Sequence, residues 1–324
     1  MTAEPGTRVL KPDAAGIAAA VRCVAAGGLA AFPTETVYGL GADAGNGEAI
    51  ARLYAAKGRP RFNPLISHVA DLGQAQRLGK FNEAAQKLAA AFWPGPLTLV
   101  VPKSADCAVA DLALAGLDTI ALRMPAHPVA RALLAEFGKP IVAPSANRSG
   151  HVSPTCAAHV VADLRGRIDL VIDGGPCPVG IESTIVAVID EPTLLRPGGV
   201  PRAQIERVLG RALADAPMAD DKPLAPGMLA SHYAPKARLR LNAELLHEDE
   251  ALLAFGQPLA FKDGQSVRNL SPRGDLVEAA TNLFSHLRVL DASGVSTIAV
   301  MKVPNEGLGE AINDRLMRAA APKS

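Results

Sequence analysis

Aromatic residues are scarce in this chain: one Trp, three Tyr and eight Phe among 324 residues. Single-stranded nucleic acid is gripped largely by stacking, and this composition offers little for it. A large charge of either sign is missing too, the formal net charge being +1. That argues against coating a phosphate backbone by bulk electrostatics and leaves only a local basic groove open. The four cysteines, Cys23, Cys107, Cys156 and Cys177, form no C-x-x-C pair. They make neither a disulfide framework nor a zinc site, and they suit a reducing cytosol. No apolar run approaches the roughly 20 residues of a membrane span. The opening MTAEPGTRVLKPDAAG lacks the apolar centre of a signal peptide. The expectation is a soluble, cytoplasmic protein with no membrane partner.

Standard catalytic signatures are equally absent: no G-x-x-x-x-G-K-[ST], no H-E-x-x-H and no G-x-S-x-G. Any work on phosphates must fall to scattered side chains. Gly39-Leu-Gly-Ala-Asp-Ala44 imitates a dinucleotide fingerprint, but its helix starts too late and no acid follows at ribose distance. Its glycines are read instead as a tight turn after Tyr38.

What is present is punctuation. The chain is long enough for two α/β-sized domains. Short apolar runs at 29–32, 64–69, 97–101, 119–124, 140–145, 170–173 and 183–189, bounded by Gly and Pro, predict strands. Helical patterns at 14–26, 48–56 (capped by Asn46), 83–92, 128–136, 157–164 and 203–214 lie among them. This predicts a mixed sheet carrying helices rather than a regular doubly wound fold. The stretch ADAPMADDKPLAPGMLASHYAPKA reads as a linker, in which Met228, His232 and Tyr233 are odd investments for a spacer. A smaller α/β unit follows. The expected division is a first domain over 1–205, a linker or lid over 206–236, and a Rossmann-like domain over 237–324.

Several clusters could carry chemistry. Lys57, Arg59 and Arg61 fall within five positions, a combination suited to phosphate oxygens. They also fit a helix C-terminus closed by Gly58. Ser145 and Asn147 in PSANRSG could share one side of an extended segment, or merely form a turn that ends a strand. Arg123 leaves an apolar strand, either paired structurally or free as a fork for a carboxylate. Polar residues thus gather at the ends of many short strands, with no strong nucleophile among them.

In this order, FPTETVYGLGADA, KGRP with NPLISH, WPGPLT, ALRMP, APSANRSG, GIESTIV and LLRPGG resemble the YrdC-like threonylcarbamoyl-AMP synthases. The likeness spans about 14–205, and PGMLASHYAP with the trailing domain resembles the family's long, two-domain form. It implies a twisted mixed sheet with a deep basic concavity. The implied reaction joins L-threonine, bicarbonate or CO2, and ATP to threonylcarbamoyl-AMP and pyrophosphate, with Mg²⁺ assisting. The product would serve tRNA modification by a separate threonylcarbamoyltransferase. Carried over by motif, Lys57, Arg59, Ser145 and Asn147 would act electrostatically in catalysis. ATP would be contacted by Lys57, Arg61, Thr119, Ser145, Ser153, Arg196 and Tyr233. Thr34, His68, Arg123, the main chain of Ala143, and Ser183 would form the threonine pocket. No protein metal ligand is identified. The linker lacks the cations that some relatives carry before its His. Two other readings remain: a tRNA- or double-stranded-RNA-binding factor without adenylation, and a carbamoyl-transfer module of the hydrogenase-maturation type. The second lacks its expected C-x-x-C pairs.

Overall fold

Local signals in the sequence set where elements begin and end. In the computed structural model, which describes residues 6–216 and 232–322, the Asn46 side chain accepts from the N–H groups of Glu48 and Ala49. Gly58, left-handed at φ 62°, closes that helix. Met228 and the rest of 217–231 lie outside the described residues.

In chain order the first eleven strands are β1 (Arg8–Leu10), β2 (Ala30–Pro33), β3 (Tyr38–Asp43), β4 (Ile66–His68), β5 (Leu97–Pro102), β6 (Thr119–Arg123), β7 (Ile141–Val142), β8 (Leu170–Ile172), β9 (Thr184–Ala187), β10 (Thr193–Arg196) and β11 (Ala214–Asp215). They form one mixed sheet in the order β1-β8-β2-β3-β7-β4-β6-β5-β9-β10-β11. The interleaved helices are α1 (Ala14–Ala25), α2 (Gly47–Lys57), α3 (Leu72–Leu78), α4 (Glu83–Phe92), α5 (Asp111–Leu114), α6 (Pro128–Phe137), α7 (Ala157–Leu164) and α8 (Arg202–Leu209).

The two faces of this sheet are covered unequally. On one, side chains such as Leu40, Leu99, Leu122 and Val186 pack under helices α2, α4, α7 and α8. On the other, α1 and α6 cover only the end around β2 and β8. Beyond them lies a floor of small apolar residues: Ile66, Val100, Ala121, Ile185, Ala187 and Leu195. Alternation along each strand then points His68 and Arg123 to that same floor, because they stand two residues from Ile66 and Ala121. The functional concavity is the part of the sheet that these two helices leave bare.

Downstream, β12 (Arg238–Arg240), β13 (Glu250–Ala254), β14 (Val267–Asn269) and β15 (Thr297–Val300) make an all-parallel sheet in the order β12-β15-β13-β14. The helices α9 (Leu276–Ala292) and α10 (Gly309–Ala320) pack with it. Its core is continuous with Val37, Val152 and Ile181 of the first domain. Arg288 on α9 reaches across to Asp163 at 2.7 Å. At Gly180, φ is 77° and an added Cβ would lie 2.4 Å from the Thr281 Cα. The residue is therefore glycine for two reasons, its backbone conformation and the approach of α9.

Three expectations need correction. The glycines of Gly39-Leu-Gly41 do not make a tight turn; they lie within β3, and the turn is at 34–37. Gly41 is small because a Cβ there would meet the Phe32 ring at 2.7 Å. The helix expected over 203–214 stops at Leu209, capped by left-handed Gly210. The chain then adds β11 to the sheet edge beside β10. The apolar run at 140–145 supplies just two strand residues, since prolines at 140 and 144 cannot donate to a ladder. Among the described residues all four cysteines are free, and no helix is long and apolar enough to cross a membrane.

Gly180→Ala should destabilise the chain by roughly 2–5 kcal/mol, from left-handed strain together with the clash against α9. Urea unfolding measures it, and an unchanged midpoint would refute the close-approach argument.

Candidate active site

A cleft opens on the bare face of the sheet. Its lining includes Arg59, His68, Arg123, Ala143, Ser145, Ser183, Arg196 and Tyr233, all singled out from the sequence. Parallel register sets His68 directly beside Arg123. The end of β10 contributes Arg196, and the residue preceding β9 contributes Ser183.

Each cation is buried and held mainly by main-chain carbonyls. Lys57, last residue of α2, donates through Nζ to the Ser145 and Asn147 carbonyls at 2.6 and 2.5 Å. Burial, reinforced by the nearby Arg59, pulls its ammonium well below the usual lysine range. Arg59 turns back onto its own loop, Nη2 donating to the Pro64 carbonyl at 3.0 Å, and burial brings it down to about 10. Arg196 donates to the Ser183 carbonyl through Nη2 at 2.8 Å and reaches the Ser183 hydroxyl at 3.2 Å. Ser183 is further linked to Thr98, hydroxyl to hydroxyl, at 2.8 Å.

Arg123 resolves the choice left open by the sequence in favour of pairing, in part. Its Nη2 meets Glu35 at 2.6 Å and its Nε the Gly95 carbonyl at 3.3 Å. That leaves Nη1 with no hydrogen bond to the described residues. Burial alone would raise the Glu35 carboxyl, but Arg123 and backbone donors hold it below the usual range. Glu182 behaves alike: burial opposes ionisation, and Arg315, Arg196 and Ser153 outweigh it. Ser153 thus points its hydroxyl at Glu182, 2.5 Å away, rather than into the cavity.

Neutral, unsatisfied groups complete the site. His68 is pushed down to about 3 by burial and then by Arg123. Its Nδ1, the Asn147 Oδ1 and the His232 Nδ1 are all buried without a partner, an arrangement that calls for a ligand or water. His232 is depressed mainly by burial and then by the surrounding cations. Tyr233, at φ 64°, stacks on Phe284 with ring centroids 5.5 Å apart.

Not every expected residue joins the cavity. The Thr34 hydroxyl is spent locally, donating to the Val37 carbonyl at 2.7 Å, and Thr36 takes its place in the lining. Arg61 is exposed. Thr119 is on the floor side of β6 but four residues from Arg123, about 13 Å along the strand. Sequence reasoning missed Glu35, Thr36 and Glu182, although each lies inside a quoted motif. An anion site was expected, so acids were not weighed. Arg315, deep in the second domain, gave no signal at all. Among the described residues no group of three or more His, Cys, Asp or Glu could hold a metal ion.

Buried donors and unsatisfied polar groups arranged in this way can take up anions and polar ligands side by side, away from bulk water. Comparison with known proteins gives the family. A family model described as telomere recombination (Sua5, YciO and YrdC) matches residues 22–198. One described as the threonylcarbamoyl-AMP synthase C-terminal domain matches 200–321. The threonylcarbamoyl-AMP synthase of Bacillus subtilis is 44% identical over 307 residues, covering 90% of this chain and 88% of the relative. That of Pyrococcus abyssi is also 44% identical, covering 91% of each. The crystal structure of P. abyssi Sua5 complexed with L-threonine superposes with a TM-score of 0.89 at 40% identity, covering 97% of both chains. The chain therefore belongs to the Sua5-type, two-domain family of threonylcarbamoyl-AMP synthases.

Proposed function

We propose that this chain condenses L-threonine, bicarbonate or CO2, and ATP into threonylcarbamoyl-AMP and pyrophosphate, with the first domain as the catalytic body and the HYAP end of the linker as its lid. The observation that carries the reading is the buried pairing of His68 and Arg123 beside Ser183, next to the cations Arg59 and Arg196, with Lys57 outside the lining and bonded to the carbonyl of Ser145, which is in it. An amino acid and a nucleotide can thus lie in contact on one floor.

The threonine carboxylate would take the remaining Nη1 of Arg123, with Ser183, His68 and the Ala143 main chain around the rest of the molecule. Its amine attacks CO2, loses a proton and becomes a carbamate. Starting from bicarbonate, water leaves as well. A carbamate oxygen then attacks the α-phosphorus, and the bond to the β-phosphate oxygen breaks, releasing pyrophosphate. The nucleophile is an oxyanion from the substrate itself, which explains the missing catalytic triad. Lys57, Arg59 and Arg196 would hold the phosphates in line and stabilise charge as it moves to the leaving group. Ser145 and Asn147 would fix Lys57 through their carbonyls and turn their side chains to the ligand. Thr119, farther along the floor, would meet the other end of the nucleotide, and Arg61 would meet phosphate from the rim. Tyr233 and His232 cover the site, excluding water from a carbamate that readily loses CO2.

Glu35 and Glu182 are both committed to arginines, so the described residues of this site offer no carboxylate cage for Mg²⁺. An ion brought by ATP would keep phosphate oxygens and water as its ligands. The cytosol, with its tRNA-modifying transferase downstream, is the proposed setting.

The purified chain, given threonine, bicarbonate, Mg²⁺ and ATP, should release pyrophosphate only when threonine is present; threonine-independent release would sink the reading. Arg123→Ala should weaken threonine binding by about 2–4 kcal/mol and ATP binding far less, because the former loses a buried charged contact. Equal losses by calorimetry would refute the assignment. His68 is held neutral above its depressed value near 3. Its ring should therefore stay uncharged from pH 5 to 8, and a step near pH 6.5 in its NMR titration would overturn that picture.

A further inference from the structure

Among the described residues Arg315 is the largest fully buried side chain, and it belongs to α10, outside the proposed catalytic body. It makes three contacts toward the site and its surroundings. Its Nε donates to Glu182 at 2.9 Å and its Nη1 to Asp314 at 2.5 Å. Its guanidinium carbon lies 5.2 Å from the Tyr233 ring centroid, and the same ring stacks on Phe284 of α9. Nη2 is buried with no partner. Glu182 in turn fixes the Ser153 hydroxyl and lines the cavity immediately before Ser183. The linker end is tied to both domains as well. The His232 N–H donates to the Arg318 carbonyl at 3.2 Å, and the Ala234 N–H to the Gly150 carbonyl at 2.8 Å.

A carboxylate in the wall of a cavity that takes a triphosphate and a carbamate would repel both. Glu182 is tolerable there because a cation covers it, and the cation with the shortest contact to it comes from the second domain. That same cation presses on the one aromatic ring of the lid. We propose that Arg315 is a positioning residue of the synthase site: docking of the second domain neutralises Glu182 and seats Tyr233 in one step, so the nucleotide meets a site that is both uncharged at that wall and covered. The C-terminal domain thereby completes the catalytic pocket without touching substrate. This inference rests on the proposed assignment of the cavity to threonine and ATP.

Kinetics of the full chain test it. Threonine-dependent pyrophosphate release by the unmodified chain comes first; its absence would defeat the functional reading rather than this inference. Arg315→Met should then raise the ATP KM and lower kcat, together by about 100-fold in kcat/KM, while the threonine KM moves by less than about threefold. Adding Glu182→Gln should recover at least about tenfold of that loss, because the uncovered charge is gone. Arg315→Lys, which keeps the charge, should fall between. An Arg315→Met effect of the same size with Glu or Gln at 182, or one shared equally by both substrates, would overturn the proposal. Should Arg315→Met fail to fold in a melting experiment, Arg315→Gln with and without Glu182→Gln carries the same comparison.

Discussion

The site depends on keeping more positive than negative charge buried in one cleft. Lys57, Arg59, Arg123, Arg196 and Arg315 are all less than 10% exposed, and Glu35, Glu182 and Asp314 are the carboxylates that the hydrogen bonds set against them. Removing an ion from water costs several kcal/mol even after relaxation, and like charges add to it. The remaining compensation comes from main-chain carbonyls at Asn63, Pro64, Gly95, Ser145, Asn147 and Ser183. Most of these lie beside or on a proline: Asn63-Pro64, Gly95-Pro96 and Pro144-Ser145. Proline contributes a carbonyl and no N–H. Loops rich in it therefore hold surplus acceptors, and surplus acceptors are what buried cations need. The proline-bounded motifs are electrostatic components as much as turns.

This arrangement explains how a chain of net charge +1 can concentrate cations in one cleft. Carbonyl dipoles are fixed by the fold, so they hold the cations without cancelling their charge. Under the proposed reading an arriving phosphate would meet donors already oriented, the preorganisation that lowers the cost of charge movement in a transition state. A carboxylate in the same wall would undo that unless covered, which is why the two acids of the site each carry an arginine.

Much of the fold was legible because caps and prolines act locally. Asn46 and Gly58 bound α2 as read, and the run 83–92 is the helix Glu83–Phe92. What failed depended on distant partners. Gly39 and Gly41 look like a turn until Phe32 and Ala143 are seen pressed against them. The strands β1, β11 and β14 are two or three residues long, too short to show a period, and exist because neighbours already offer an edge. Around the cavity, most of the motifs supply lining residues, while the pairings inside them were not visible. Nothing along the chain links position 35 to 123, or 182 to 315.

From the residues alone Arg59 and Arg61 are equals, two cations in one basic cluster, and only the resemblance assigns Arg59 to catalysis and Arg61 to ATP. Geometry separates them. Arg59 is the residue directly after the helix cap, where the left-handed turn at Gly58 sends its side chain inward onto the Asn63 and Pro64 carbonyls. Arg61 follows past Pro60, exposed beside Phe62, which is itself 51% exposed. A guanidinium free in water must be ordered and stripped of solvent when phosphate arrives, whereas Arg59 has met both costs in folding. Rate acceleration requires donors placed before the charge develops, so under the proposed reading Arg59 would serve the transition state and Arg61 the approach of ATP.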